Sequence, residues 1–263
     1  MSGMGAVDAT NPVVAGAAAD AASVIVLLHG AWASSWVWEP IVPALRAYGY
    51  DVVIVDLPDS AEPVEASTLT ENVDRVTAAI GDRPGRVHLV GHSGGGIVVT
   101  AVGEAMNDRI ASVTYVAGIM LPSDVAFDDL RAEVGDEPEL MGLAPFVESV
   151  RGGAATAVPG DAAVAVLFGR AAPADAVAAA RRLQPQWNAG LDFVPTWTAD
   201  RFGALPRLYV EARHDRDIPL VLQRHMQRRT PGAAVVTLDS DHAPQLSAPD
   251  ALVAALTGFI GAH

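Results

Sequence analysis

The 263-residue sequence has no cysteine and no lysine, so all seventeen basic residues are arginine. Without cysteine there are no disulfides, no thiolate nucleophiles and no cysteine-ligated metals, and cysteine usage gives no clue to redox compartment. Without lysine there is no Schiff-base chemistry, no pyridoxal aldimine and no phosphate-loop or kinase lysine. Long apolar runs are missing too. No stretch of about 18 or more uncharged apolar residues occurs, so no membrane span is expected. No H-E-x-x-H, Cys–His cluster or carboxylate-rich loop suggests a metal, and no G-x-G-x-x-G suggests a dinucleotide. The expectation is an activity with no cofactor and no metal.

What is present points to a globular α/β protein. Hydrophobic residues make up 51% of the chain, enough to bury a large core, and the length suits one domain with or without an insertion. The formal net charge of -14 repels phosphate backbones and anionic lipid, so neither nucleic acid nor a membrane surface is an expected partner. Oligomeric state is not readable. Residues 1–22 are rich in Ala and Gly, lack a basic start and contain Asp8 and Asp20. They read as a flexible tail rather than a signal peptide, which makes the cytoplasm the default location.

Short β-branched runs alternate with helical patterns, the signature of a mostly parallel sheet flanked by helices. Strands are expected at Val24–Leu28, Asp51–Val55, Arg86–Val90, Ser112–Val116, Arg207–Glu211 and Ala233–Leu238. Helices are expected at Ser35–Tyr48 (irregular near Pro40 and Pro43), Thr68–Ile80, Gly96–Met106, Leu220–Arg229 and Ala248–Ile260. The pattern breaks over residues 120–204, which carry seven prolines from Pro122 to Pro195, Ala-rich helical pieces and no strong strand. This segment reads as a mainly helical lid inserted into a core made of residues 23–119 and 205–263.

Four segments carry chemistry. Gly91-His92-Ser93-Gly94-Gly95 matches G-x-S-x-G between a strand and a helix. The small residues permit a sharp turn that lifts the Ser93 hydroxyl above the sheet edge. The Gly94 amide, at the following helix's N-terminus, can donate to an oxyanion. His242 follows the last strand, where a general base belongs. Asp215 follows the strand before it and suits the acid that orients an imidazole, with Asp217 a close competitor on spacing alone. The chain order Ser, Asp, His is that of α/β-hydrolases. His29-Gly30-Ala31 follows the first strand, and Ala31 is placed to supply a second oxyanion donor. Trp187, Phe193 and Trp197 are candidate pocket walls or lid core.

His29-Gly30-Ala31-Trp32-Ala33-Ser34-Ser35-Trp36-Val37-Trp38 resembles the H-G-A-x-x-x-x-W-x-W block of the plant methylesterase and hydroxynitrile lyase branch of α/β-hydrolases and of related bacterial carboxylesterases. The Ser93 motif, the run from Asp215 through Pro219 to Gln223, and Asp241-His242 with Leu246 and Pro249 are similar to that branch as well. The resemblance implies an α/β-hydrolase fold, a Ser93–Asp215–His242 triad with Asp215 rather than Asp217 as its acid, and Ala31 and Gly94 as oxyanion donors. Departures exist. Hydroxynitrile lyases of the branch carry a threonine where Gly30 stands and a lysine where Ala243 stands, which disfavours cyanohydrin cleavage here. Trp32 also departs from the plant pattern and is placed to shape the substrate pocket.

The expected activity is that of a serine esterase acting on a small to medium hydrophobic carboxylic ester through an acyl-enzyme. Its alternatives are a lyase, a cofactor-free oxygenase, or a ligand-binding receptor on the same fold.

Overall fold

A computed structural model describes residues 23–58, 67–135 and 137–263. The expected N-terminal tail, residues 1–22, lies outside them. Six strands form one parallel sheet: β1 Val24–Leu28, β2 Asp51–Val55, β3 Val87–His92, β4 Ile110–Val116, β8 Arg207–Ala212 and β9 Ala233–Leu238. Their order across the sheet is β2-β1-β3-β4-β8-β9, and every neighbouring pair is parallel. Side chains alternate along β1. Val24, Val26 and Leu28 join the core on one face, while Ile25 and Leu27 join the core on the other. Both faces of β1 are buried, which is why it reads as an unbroken apolar run, whereas the edge strand β9 leaves Val235 and Val236 exposed.

Helices cover the faces. Helix α2 (Leu69–Ile80) begins with a reciprocal cap, in which Thr68 accepts from the Glu71 amide and Glu71 accepts from the Thr68 amide. Helix α3 (Gly95–Ala105) is buried on most sides and runs directly from β3. The expected helix over Ser35–Tyr48 is instead a 3₁₀ turn at Ser35–Trp38 followed by α1 (Val42–Ala47). The cause is proline. Pro40 cannot donate a helical hydrogen bond, and Pro43 is tolerated only in the first turn of α1. The break buries Trp36, Val37 and Trp38 together.

Strands β4 and β8 pair directly, so the chain between them is an excursion from the sheet. It contains α4 (Phe127–Ala132), α5 (Gly160–Val166) and α6 (Pro173–Ala180). It also contains strands that the sequence does not announce. β5 (Glu148–Val150), β6 (Ala155–Ala157) and β7 (Gln186–Trp187) form a separate antiparallel sheet. Elements of two or three residues are too short to show an alternation of apolar and polar positions. The C-terminal part is α7 (Leu220–Arg229), α8 (Pro244–Ser247) and α9 (Pro249–Ile260). Among the described residues no helix is long and apolar enough to cross a membrane.

Candidate active site

Four loops leave the carboxyl ends of β1, β3, β8 and β9 and meet above the sheet edge, at the side where open parallel sheets bind ligands. The tightest is the turn after β3. Ser93 has φ +52°, in the left-handed region, which costs a non-glycine residue about 1–3 kcal/mol. Packing holds it there. The Ser93 amide donates to the Val116 carbonyl at 3.2 Å, and its carbonyl accepts from Ile119 at 2.9 Å. A methyl group on Gly91 would lie 2.5 Å from the Gly95 carbonyl oxygen, and one on Gly95 would lie 2.6 Å from that of His29. Only glycine fits at either place, which explains the spacing of the motif.

Two amides converge beside Ser93. Gly94 is the N-cap of α3, and a methyl group on it would lie 3.7 Å from the Ala31 nitrogen. Neither the Ala31 nor the Gly94 N–H has a protein acceptor among the described residues. The loop that carries Ala31 is shaped by His29. Its Nε2 accepts from the Leu57 amide at 2.9 Å, so its Nδ1–H donates to the Gly30 carbonyl at 2.8 Å. Burial lowers the His29 pKa and keeps this ring neutral. Gly30 has no room for a side chain, because a methyl group there would meet the Ser93 Cβ at 2.5 Å.

The imidazole of His242 is buried between two carboxylates. Its Nδ1 is 2.8 Å from Asp215 Oδ2, while its Nε2 is 3.6 Å from Asp217 Oδ2. Asp215 is fully enclosed. Its Oδ1 accepts from the Asp217 and Ile218 amides at 2.8 and 2.9 Å, and Gln223 donates to Oδ2 at 3.4 Å. Burial raises the Asp215 pKa, and the charge on His242 opposes that rise. For His242, burial favours the neutral ring, but Asp215, Asp217 and Asp241 outweigh it and hold the pKa above the ordinary 6.5. Beneath it, the Nε2–H of His92 donates to the His242 carbonyl at 2.7 Å. Burial and the neighbouring His242 ring push His92 down to about 3, so it stays neutral.

Two cavities open on this group. The larger, about 320 Å³, is lined by Ala31, Trp32, Ser93, Gly94, Leu143 and Phe193, among others. The smaller, about 20 Å³, is lined by Trp32, Ser93, Phe168, Leu183, Asp217 and His242, among others. Trp32 is common to both. Of the three candidate aromatics, Phe193 lines the larger cavity, while Trp187 and Trp197 line neither. Trp197 donates its indole N–H to the Leu121 carbonyl at 3.0 Å and stacks edge-on against Phe202, so it serves the core. Trp187 lies under the Arg151 guanidinium, 4.7 Å from ring centroid to Cζ, outside both cavities. No group of three or more metal-ligating side chains occurs among the described residues.

The sequence profile of the Alpha/beta hydrolase family matches residues 25–255. The chain belongs to that family. Within it, the chain is 28% identical to a pyrethroid hydrolase of Sphingobium wenxiniae, over 90% of its own length and 88% of the relative's. It is 26% identical to methylesterase 7 of Arabidopsis thaliana, over 88% and 94% of the two chains. The crystal structure of a pyrethroid hydrolase from Sphingobium faniae superposes with a TM-score of 0.80 at 25% identity, covering 91% of this family member and 98% of that chain.

Sequence reasoning missed the role of one residue and the presence of two others at the site loops. Asp217 was weighed only as a rival to Asp215, whereas the imidazole lies between the two. Gln186 and Thr156 both bond to Trp32 from the excursion. No local pattern marks them, because their partners are 154 and 124 residues away.

Proposed function

We propose that this protein is a serine carboxylesterase whose triad is Ser93, His242 and Asp215, and whose preferred substrates join a hydrophobic acid to a small alcohol. The observation that carries the reading is the strained Ser93 turn beside two unpaired amides and a buried Asp215–His242 pair. Relatives named as methylesterase and pyrethroid hydrolase support ester cleavage.

In the acylation step His242 Nε2 takes the Ser93 proton as Oγ attacks the ester carbonyl carbon. The carbonyl oxygen becomes an oxyanion held by the Ala31 and Gly94 amides. Asp215 fixes the Nδ1–H tautomer and stabilises the imidazolium. His242 then returns the proton to the alkoxide as the carbon–oxygen bond breaks, and water repeats the sequence on the acyl-enzyme to release the acid. Ser93 Oγ makes no hydrogen bond to His242 among the described residues, and catalytic contacts of this kind commonly tighten only once substrate is bound.

The two cavities support a division of the ester between them. The leaving alcohol must sit beside His242, which protonates it, and the cavity there has room for little more than a water-sized group. The acyl half then occupies the cavity of about 320 Å³, within the size range of small-molecule sites. Residues 120–204 act as a lid that supplies Leu143 and Phe193 to the acyl wall.

The test pairs wild type with Ser93→Ala. A fluorophosphonate probe should label only the wild type, and turnover of a methyl-ester series should fall by several orders of magnitude in the variant. Equal turnover in a folded Ser93→Ala variant would remove Ser93 from the mechanism.

A further inference from the structure

Trp32 stands at φ +58°, a conformation a bulky residue does not choose by itself. Three hydrogen bonds fix it, and all three come from the lid. Its backbone N–H donates to Gln186 Oε1 at 3.3 Å. Its carbonyl accepts from the Gln184 amide at 2.8 Å. Its indole N–H donates to Thr156 Oγ1 at 3.1 Å. Thr156 and Gln186 are opposite one another on the β6–β7 ladder, so the two side chains form one clamp. Gln186 is buried, and its Nε2 donates to the Trp187 carbonyl at 3.4 Å, which leaves Oε1 facing Trp32.

We infer that Gln186, supported by Thr156, is a positioning residue for the oxyanion site: the lid's small sheet holds Trp32 in its left-handed turn and so keeps the adjacent Ala31 N–H aimed beside Ser93. The inference rests on the esterase reading of that same site. It makes the lid part of the transition-state machinery as well as a pocket wall. The Ala31 amide is useful only where the developing oxyanion will lie, and a displacement of about 1 Å can cost about 10²-fold in rate.

Gln186→Met keeps the side chain's length and removes the acceptor, whereas Gln186→Glu keeps an acceptor. Both variants are assayed for kcat and KM on a methyl ester. Both are also titrated with a matched pair of ketones. A trifluoromethyl ketone adds Ser93 Oγ to its carbonyl carbon, passes the serine proton to His242 and leaves an oxyanion for the two amides. The unfluorinated methyl ketone binds without reacting.

The expected result for Gln186→Met is a fall in kcat of about tenfold or more, below the 10²–10³ for loss of a whole donor. Trifluoromethyl ketone affinity should fall in parallel, while KM and methyl ketone affinity stay within about threefold. Gln186→Glu should restore most of the rate. If Gln186→Met lowers the melting temperature too far for assay, Thr156→Val should show the same split with a smaller amplitude. Unchanged kcat, or equal weakening of the two ketones, overturns the positioning role. A wild type without Ser93-dependent labelling or turnover overturns the esterase reading itself, a different and separately visible failure.

Discussion

Replacing Asp217 by Asn should move the pH profile more than it moves the maximal rate. Asp217 Oδ2 is 3.6 Å from His242 Nε2, the nitrogen that must be unprotonated to accept the Ser93 proton. A negative charge there favours the imidazolium, so the wild-type acid limb of kcat/KM should lie above the ordinary imidazole pKa of 6.5. Unit charges 3.6 Å apart interact by about 1 kcal/mol in a water-like dielectric and about 5 kcal/mol at an effective dielectric of about 20. The Asp217 side chain is 15% exposed, which puts the effect between these limits. At about 1.4 kcal/mol per pKa unit, removing the charge should lower the acid limb by roughly one to two pH units. The substitution is clean in other respects. An asparagine oxygen can still accept from the Leu143 amide, now 2.9 Å from Oδ1, and the backbone N–H at 217 still donates to Asp215. Initial rates between pH 5 and pH 10 at substrate concentrations well below KM give the limb directly. A limb that stays in place, or moves upward, would refute the claim that Asp217 tunes the imidazole.

Asp215→Asn should cut kcat by about 10⁴, because the amide presented to His242 Nδ1 imposes the wrong tautomer. Steady-state kinetics on the two variants decide the assignment, since a greater loss in Asp217→Asn would exchange the roles of the two aspartates. Leu183→Ala should open the small cavity beside His242, and because Leu183 is only partly buried the fold should tolerate it. The methyl-to-butyl preference in kcat/KM, assayed with a common acyl group, should fall about tenfold or more, and an unchanged preference would place the alcohol elsewhere.

The sheet was legible because its inner strands, such as β1, are buried on both faces and carry unbroken apolar runs, while the edge strand β9, with Val235 and Val236 exposed, still announces itself by its β-branched residues. Val24–Leu28, Asp51–Val55 and Ala233–Leu238 begin and end where the sequence puts them. Site positions tied to strand ends were legible with the strands: Ser93 after β3, Ala31 after β1, Asp215 after β8 and His242 after β9 fall at one edge. Two kinds of feature escaped. Proline chemistry split the Ser35–Tyr48 segment into a 3₁₀ turn and a short helix, although apolar spacing suggested one helix. The strands between β4 and β8 are shorter than any periodic signal, so neither their pairing nor the reach of Gln186 and Thr156 to Trp32 could be read.

That division between core and lid has a physical consequence for how the site is held. The nucleophile turn is locked by sterics within and beside the core, through the Gly91–Gly95 and Gly95–His29 contacts and the hydrogen bonds to Val116 and Ile119. The other three loops each take a bond from the lid. Gln186 holds Trp32, the Leu143 amide holds Asp217, and the Arg170 amide donates to Asp241, next to His242, at 2.7 Å. On the proposed reading, a displacement of residues 120–204 as a unit would leave Ser93 in place while loosening the Ala31–Trp32 loop, Asp217 and the His242 loop together. Ester specificity in such an arrangement is not confined to the pocket wall. A lid substitution that reshapes the acyl cavity acts through the same small body that aims the Ala31 amide and sets the field at His242, so changes in substrate preference and changes in kcat should arise together.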